Sequence, residues 1–255
     1  MLLQIAFCAK PPDVAELRER VEGYFKEGSF RYLFSTQIVS HNGRPVATSP
    51  ALTGATKEEF EQILLSRMYQ EAGIHHSLIS HIVHIVLTAL HQVNLDHNVR
   101  LRDWDFLVAH NPFISQDRIA IFAKGLHAGL TGDWIVSAHL LIPQLENSLR
   151  YVLEQRGIVP YTNDTETGVS KAWTLEAMLK RQELIDDLGE DVIFDLRCLL
   201  ISGFGSNLRN NLAHGLMSTG HFFDHSIVYL WWLTLYLCFH GIPLSNALEE
   251  VPSSE

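Results

Sequence analysis

One short segment of the chain combines residue types that can cleave RNA without a metal ion. It runs from Arg209 to Gly215 with the sequence RNNLAHG. Cleavage by a 2′-hydroxyl needs a base for the hydroxyl proton, an acid for the leaving 5′-oxygen and a cation for the charge on phosphorus. A histidine such as His214 can act as base or acid. Arg209 offers a planar, permanently charged fork that matches phosphate oxygens, and Asn210 can orient either group or bind the phosphate.

The spacing of Arg209 and His214 raises a geometric problem. Positions five apart on a regular helix lie about 140° apart around its axis, so the two side chains do not face one point. The glycine-rich run 203–205 places Arg209 at or just before a helix start, where free backbone amides can add to an anion site. Alternatively, two copies of the segment meet across a dimer, and two histidines then supply both the base and the acid.

The elements that must position this segment are almost all helical. Residues 41–43 (His-Asn-Gly), followed by an extended Arg-Pro-Val-Ala run, predict a β-hairpin whose second strand lies at an edge. The turn-rich stretch 157–170 is expected to form a loop. Apolar spacing and caps predict helices over residues 12–27, 56–72, 77–95, 101–109, 115–130, 134–155, 174–188, 191–200 and 227–239.

These elements predict a mainly α fold with one small β-hairpin. The break at 110–112 (His-Asn-Pro) predicts an N-terminal helical region, 1–110, and a helical domain, 111–255, that carries the RNNLAHG segment. The helix at 134–155 is expected to be capped by Asp133, and the one at 56–72 to open on a capping box from Thr56 to Glu59.

Composition narrows the classes of function. The formal net charge of −10 argues against broad nucleic-acid binding through a basic face, although a few arginines can still dominate a cleft. Three widely spaced cysteines without a CxxC pair predict neither disulfides nor a thiolate metal site, and they favour a cytoplasmic location. The apolar run 227–239 is too short to span a bilayer and is interpreted as a buried helix.

The segment resembles the R-x4–6-H signature of the HEPN superfamily (higher eukaryotes and prokaryotes nucleotide-binding), including the polar Asn210 after the arginine. More narrowly, it is similar to a HEPN-type family with an R-N-x-x-x-H-G motif. A second block agrees with that family, in the stretches 122–126 (FAKGL), 129–133 (GLTGD) and 139–150 (HLLIPQLENSLR). Together the matching blocks cover roughly residues 111–240.

The resemblance implies a helical bundle with the motif in a cleft, usually at a homodimer interface. It implies a metal-independent endoribonuclease without a cofactor, often in toxins or phage defence, where an antitoxin-like partner can hold the enzyme inactive. One eukaryotic relative is named for RNA degradation at the endoplasmic reticulum membrane. Arg209, His214 and Asn210 would be the catalytic residues. Some members have lost catalysis and only bind nucleotides or RNA, which is the alternative function here.

Three further residues are candidates for support of the site. Glu146 and Arg150 are spaced i,i+4, and Glu146 lies close to the apolar stripe of its helix. Glu146 can therefore orient Arg209 or pair with Arg150, although an ordinary surface pair fits the spacing as well. Asn211, inside the motif, is the third candidate.

Histidines elsewhere raise the question of a metal site. Several fall between residues 75 and 91, where histidines hydrogen-bonded within the protein or exposed to solvent are expected rather than ligands. His221 and His225 have the i,i+4 spacing found in zinc enzymes, which leaves a zinc-dependent hydrolase as a further hypothesis. No third ligand is evident, and these two histidines could instead line the same cleft as the RNNLAHG segment.

Overall fold

The computed structural model describes residues 2–28, 34–39, 43–94, 99–163 and 169–240 of the 255-residue chain. Within these ranges the chain is mainly α-helical, as predicted. The α-helices are α1 (Leu2–Ala6), α2 (Val14–Lys26), α3 (Lys57–Asn94), α4 (Asp105–Val108), α5 (Ile119–Leu130), α6 (Trp134–Gln155), α7 (Leu175–Met178), α8 (Gln182–Leu188), α9 (Glu190–Leu200), α10 (Leu208–Ala213) and α11 (His225–His240). The strands are β1 (Thr36–Val39), β2 (Pro45–Ser49), β3 (Tyr161–Asn163) and β4 (Ser170–Ala172).

The apolar helix α11 lies at the centre of the fold. It packs against α1, α3, α5 and α6, so it is covered on all sides and needs no polar face. Its two tryptophans have hydrogen-bond partners: Trp231 Nε1 donates to Leu126 O at 2.8 Å and Trp232 Nε1 to Ile5 O at 3.0 Å. The prediction of a buried helix is therefore confirmed. No helix in the described ranges is long and apolar enough to cross a membrane.

Helix α3 differs from the prediction of two helices, 56–72 and 77–95. It is one continuous helix of 38 residues. The capping box at its start is confirmed, because Glu59 N donates to Thr56 Oγ1 and Thr56 N to Glu59 Oε2. Gly73 does not break the helix, since Ala72 and His76 on either side of it are both buried. Continued packing of that face offsets the roughly 1 kcal/mol that a helical glycine costs.

Two antiparallel strand pairs lie outside the helices. β1 pairs with β2, which confirms the predicted hairpin, although residues 40–42 of its turn lie outside the described residues. β3 pairs with β4 in the stretch that was expected to be a loop, so the prediction of a single hairpin was wrong. Strands of three residues are too short to display the alternating pattern by which a strand is recognised.

The predicted helix 174–188 is also interrupted. It forms two short helices, α7 and α8, because the chain turns at Leu179–Arg181. The Leu179 carbonyl accepts a hydrogen bond from Arg197 Nη2 on α9. The break thus coincides with a contact between residues 18 positions apart, which local propensity does not encode.

One continuous core draws on both sides of the predicted boundary at residue 110. Ile79 and Val83 of α3 are buried in the same cluster as Leu126 of α5 and Trp231 of α11. A smaller cluster joins α2, α3 and α9, around Val21, Leu64 and Phe194. Helix α9 thus contacts both clusters, and the chain segment that follows it carries the RNNLAHG sequence.

Candidate active site

The RNNLAHG segment forms helix α10, whose start is set by the preceding turn. Asn207, just before the helix, has a left-handed backbone with φ 50°, and its Oδ1 accepts a hydrogen bond from Asn210 Nδ2 at 2.7 Å. Asparagine adopts this conformation more readily than most residues because its side chain bonds locally. Arg209 is the second residue of α10, so the prediction that it lies at a helix start is confirmed.

Close packing against α9 explains the glycine at position 205. A Cβ atom there would lie 2.0 Å from the carbonyl oxygen of Cys198, which also accepts a hydrogen bond from Ser206 N at 3.1 Å. Only glycine permits this approach of the two backbones. The turn therefore ties the start of α10 to the end of α9.

Glu146 of α6 holds the guanidinium of Arg209. Arg209 Nε donates to Glu146 Oε2 at 3.0 Å, and Arg209 Nη1 to Asn210 Oδ1 at 3.4 Å. The other Glu146 oxygen accepts from Arg150 Nη2 at 3.4 Å. Glu146 therefore contacts both of the arginines that the sequence offered as its partners, Arg209 and Arg150. An arginine has five donor hydrogens. These bonds use one on Nε and one on Nη1 of Arg209, so the remaining donors can bind a further anion.

His214 lies at the other end of α10. It is the last, capping residue of the helix and its side chain is exposed. Gly215 follows with a left-handed φ of 65°, which ends the helix as glycine commonly does. Within a single chain Arg209 therefore lies near the start of α10 and His214 at its end.

A cavity of about 600 Å³ lies between α9 and the start of α10. Three cationic side chains line it, Lys180, Arg197 and Arg209, and we call it the cationic cavity. Asn210 lines it as well, whereas Asn211 and His214 do not. Sequence reasoning missed Lys180 and Arg197, because neither belongs to a motif and each is distant from Arg209 along the chain.

A second cavity, of about 370 Å³, lies on the other side of α10, and we call it the histidine cavity. Asn211 lines it together with His221 and His225, so these two histidines share a cavity with the motif but not with Arg209. Asp224 Oδ1 lies 2.5 Å from His225 Nδ1. This contact raises the pKa of His225 and lowers the pKa of Asp224 from their ordinary values.

The histidines between residues 75 and 91 have partners within the protein where the structure describes their side chains. His75 contacts the Lys10 carbonyl, and His76 contacts Asp195. His81 and His84 contact carbonyls of their own helix, while the His91 side chain lies outside the described residues. Among the described residues, no group of three or more histidine, cysteine or acidic side chains is arranged to hold a metal ion. The zinc hypothesis for His221 and His225 therefore gains no support.

The segment Arg209 to Gly215 thus begins with an arginine that is bonded to Glu146 and lines the cationic cavity. The exposed His214 lies at the end of the same short helix. No family model, curated protein or solved structure matches this chain.

Proposed function

We propose that the chain is a metal-independent endoribonuclease of HEPN type, with Arg209 and His214 as catalytic residues. The observation that carries the proposal is the 3.0 Å ion pair between Glu146 and Arg209, which joins residues 63 positions apart. It holds the motif arginine at the wall of a cavity large enough for a nucleotide. Such preorganisation is what stabilisation of a phosphorane-like transition state requires.

The reaction needs one proton removed and one proton delivered. A base takes the proton of the 2′-hydroxyl, and the resulting oxygen attacks the adjacent phosphorus. The bond from phosphorus to the 5′-oxygen then breaks, an acid protonates that oxygen, and the other product ends in a 2′,3′-cyclic phosphate. Arg209 stabilises the charge on the phosphorane oxygens, and His214 supplies one of the two proton transfers.

A second copy of the chain would supply the other proton transfer. Arg209 lies near the start of α10 and His214 at its end, and we propose that two copies pack so that an arginine of one chain faces a histidine of the other. Leu216 and Phe223, which follow α10, are 54% and 56% exposed, and they offer apolar surface for such an interface. We therefore propose a homodimer with α10 at its centre.

The biological setting follows from the resemblance to HEPN proteins. Ribonucleases of this type are often toxins or part of phage defence, and we propose such a role in the cytoplasm for this chain, with an antitoxin-like partner that restrains it. RNA is the proposed substrate, and Asn210 is assigned to positioning, since it bonds both Arg209 and Asn207.

The variant His214→Ala tests the proposal. It should abolish RNA cleavage without unfolding the protein, because the His214 side chain is exposed. The matched control is His81→Ala, which removes another exposed helical histidine and should retain full activity. Cleavage should also persist in EDTA and leave 2′,3′-cyclic phosphate ends, measured by mass spectrometry. Undiminished cleavage by pure His214→Ala would contradict the proposal.

The second candidate is a protein that binds RNA or nucleotides without cleaving them. One observation favours it: the net charge of −10, because an acidic chain repels free RNA at low salt. Binding of RNA by the purified wild-type chain, with no product after prolonged incubation, would decide for this alternative.

A further inference from the structure

The cationic cavity gathers three positive side chains in a chain that is acidic as a whole. Arg197 comes from α9, Lys180 from the turn between α7 and α8, and Arg209 from α10. One carboxylate, Glu176, lines the cavity with them. Glu176 pairs with Lys180, and Glu146, outside the lining, pairs with Arg209, so the positive charge of Arg197 remains in excess. This excess is opposite in sign to the net charge of −10. Such a local reversal marks a site that attracts anions.

The two additional cations are held differently. Arg197 is half-buried and anchored, because its Nη2 donates to the Leu179 carbonyl. Lys180 is 64% exposed, and its Nζ lies 2.6 Å from Glu176 Oε1. Lys180 can exchange this carboxylate for another anion at little cost, since exposed ion pairs contribute little to stability.

Neutral hydrogen-bond donors complete the lining. Tyr69 lines the cavity, and its hydroxyl is protonated at neutral pH, as that of tyrosine ordinarily is, so it can donate. Ser202 also lines the cavity, next to Arg209 and Asn210. Protonated donors beside guanidinium and ammonium groups match phosphate oxygens, which only accept hydrogen bonds when ionised.

We propose that Lys180 and Arg197 bind a second phosphate of the substrate strand, adjacent to the phosphate held at Arg209. This assignment rests on the proposed ribonuclease function and extends it from the cleaved phosphate to a flanking one. A single-stranded RNA can supply both phosphates, because successive phosphates lie next to each other along its backbone. Glu176 competes with that phosphate for Lys180.

The competition provides a test in which two variants break the same ion pair and have opposite effects. Lys180→Gln removes a phosphate contact and leaves Glu176 to repel the strand, whereas Glu176→Gln removes the competitor and frees Lys180. Lys124→Gln, at an exposed lysine of α5 outside this cavity, is the control for net charge. The probe is a hexanucleotide of 2′-O-methyl RNA, which lacks the attacking hydroxyl and is not cleaved. Its binding is followed by fluorescence anisotropy over a range of salt concentrations.

We expect Lys180→Gln to weaken binding about tenfold. It should also reduce the slope of log K against log salt by about 0.7, the value for one contact to a single strand. Glu176→Gln should tighten binding, and Lys124→Gln should change it little. The assignment is overturned if the two ion-pair variants shift affinity in the same direction, if the control weakens binding as much as Lys180→Gln, or if the oligonucleotide does not bind.

Two further measurements separate an RNA strand from a free phosphate compound as the ligand, and phosphate binding from RNA cleavage. Inorganic phosphate and a nucleoside monophosphate are titrated as competitors. If either saturates the cavity and the oligonucleotide cannot displace it, the phosphate comes from a free small molecule and the strand assignment fails. Cleavage of unmodified RNA is measured independently. If the oligonucleotide binds with this pattern but RNA is not cleaved, the phosphate site stands and the proposed ribonuclease function fails. If RNA is cleaved but the pattern is absent, the ribonuclease function stands and the phosphate site fails.

Discussion

At the scale of single residues, Glu146 decides how the motif arginine is presented. Its side chain is 16% exposed and its two oxygens contact different arginines, Arg209 and Arg150. The bond to Arg209 is the shorter, 3.0 Å against 3.4 Å. A carboxylate so placed fixes the plane of the Arg209 guanidinium, and this plane determines which phosphate oxygens it can reach.

Replacing Glu146 by Gln should therefore lower the rate of RNA cleavage. The amide keeps the shape of the side chain but weakens its bond to Arg209, and misplacement of a catalytic group costs roughly 10- to 100-fold. Arg150→Gln is the control, because it leaves the bond between Glu146 and Arg209 in place and should change the rate by less than about threefold. Single-turnover cleavage and thermal melting of both variants are the measurements. Equal loss of rate in the two would show that Glu146 does not act through Arg209.

At the scale of elements, a buried polar cluster fixes α9 against α3 and α11. The Oδ1 atom of Asp195, on α9, lies 2.6 Å from His76 Nε2, and its Oδ2 atom accepts a hydrogen bond from the Tyr229 hydroxyl at 2.7 Å. All three side chains are fully buried, and the His76 ring stacks on Tyr229 at 4.0 Å. Because α9 supplies Arg197 and abuts Gly205, this cluster positions both the cationic cavity and the start of α10.

Tyr229→Phe should destabilise the fold by about 1–3 kcal/mol, because it leaves the buried Asp195 Oδ2 without its hydrogen-bond donor. The control on the same helix is Thr234→Val. The Thr234 hydroxyl is also fully buried but bonds only the Leu230 carbonyl of its own helix, so its removal should cost less than about 1 kcal/mol. Urea unfolding followed by circular dichroism measures both. Similar losses in the two variants would mean that the Asp195 cluster contributes nothing beyond an ordinary hydroxyl.

At the scale of the whole molecule, the proposed composite cleft makes a statistical prediction. When wild-type chains and His214→Ala chains are mixed in equal amounts and allowed to exchange, half of the dimers are mixed, and each of these lacks one of the two histidines. If the cleft needs both, cleavage falls to about one quarter of the wild-type value at equal total protein. Independent sites in single chains would retain about one half. Sedimentation of the same samples shows whether dimers form.

The sequence alone determined the features that depend on neighbouring residues. The bounds of α6 were predicted as Trp134 to Gln155, and the structure confirms them, because Asp133 caps the helix through a bond from Val136 N at 3.1 Å. The capping box at Thr56 and the helix start at Arg209 are likewise local signals. The sequence offered the ion pair between Glu146 and Arg209 only as one of two alternatives, since the i,i+4 spacing also allowed a pair with Arg150.

The tertiary structure decided what lies next to the motif. It joined two predicted helices into α3, broke another between α7 and α8, and paired β3 with β4. It also brought Lys180 and Arg197 to the same cavity as Arg209 and placed His221 and His225 on the other side of α10. These neighbours are set by the packing of α9 against α10 and by single contacts such as that of Arg197 with the Leu179 carbonyl. Local periodicity carries no information about such contacts, because the residues that make them are separated in the chain and meet only once the core has formed.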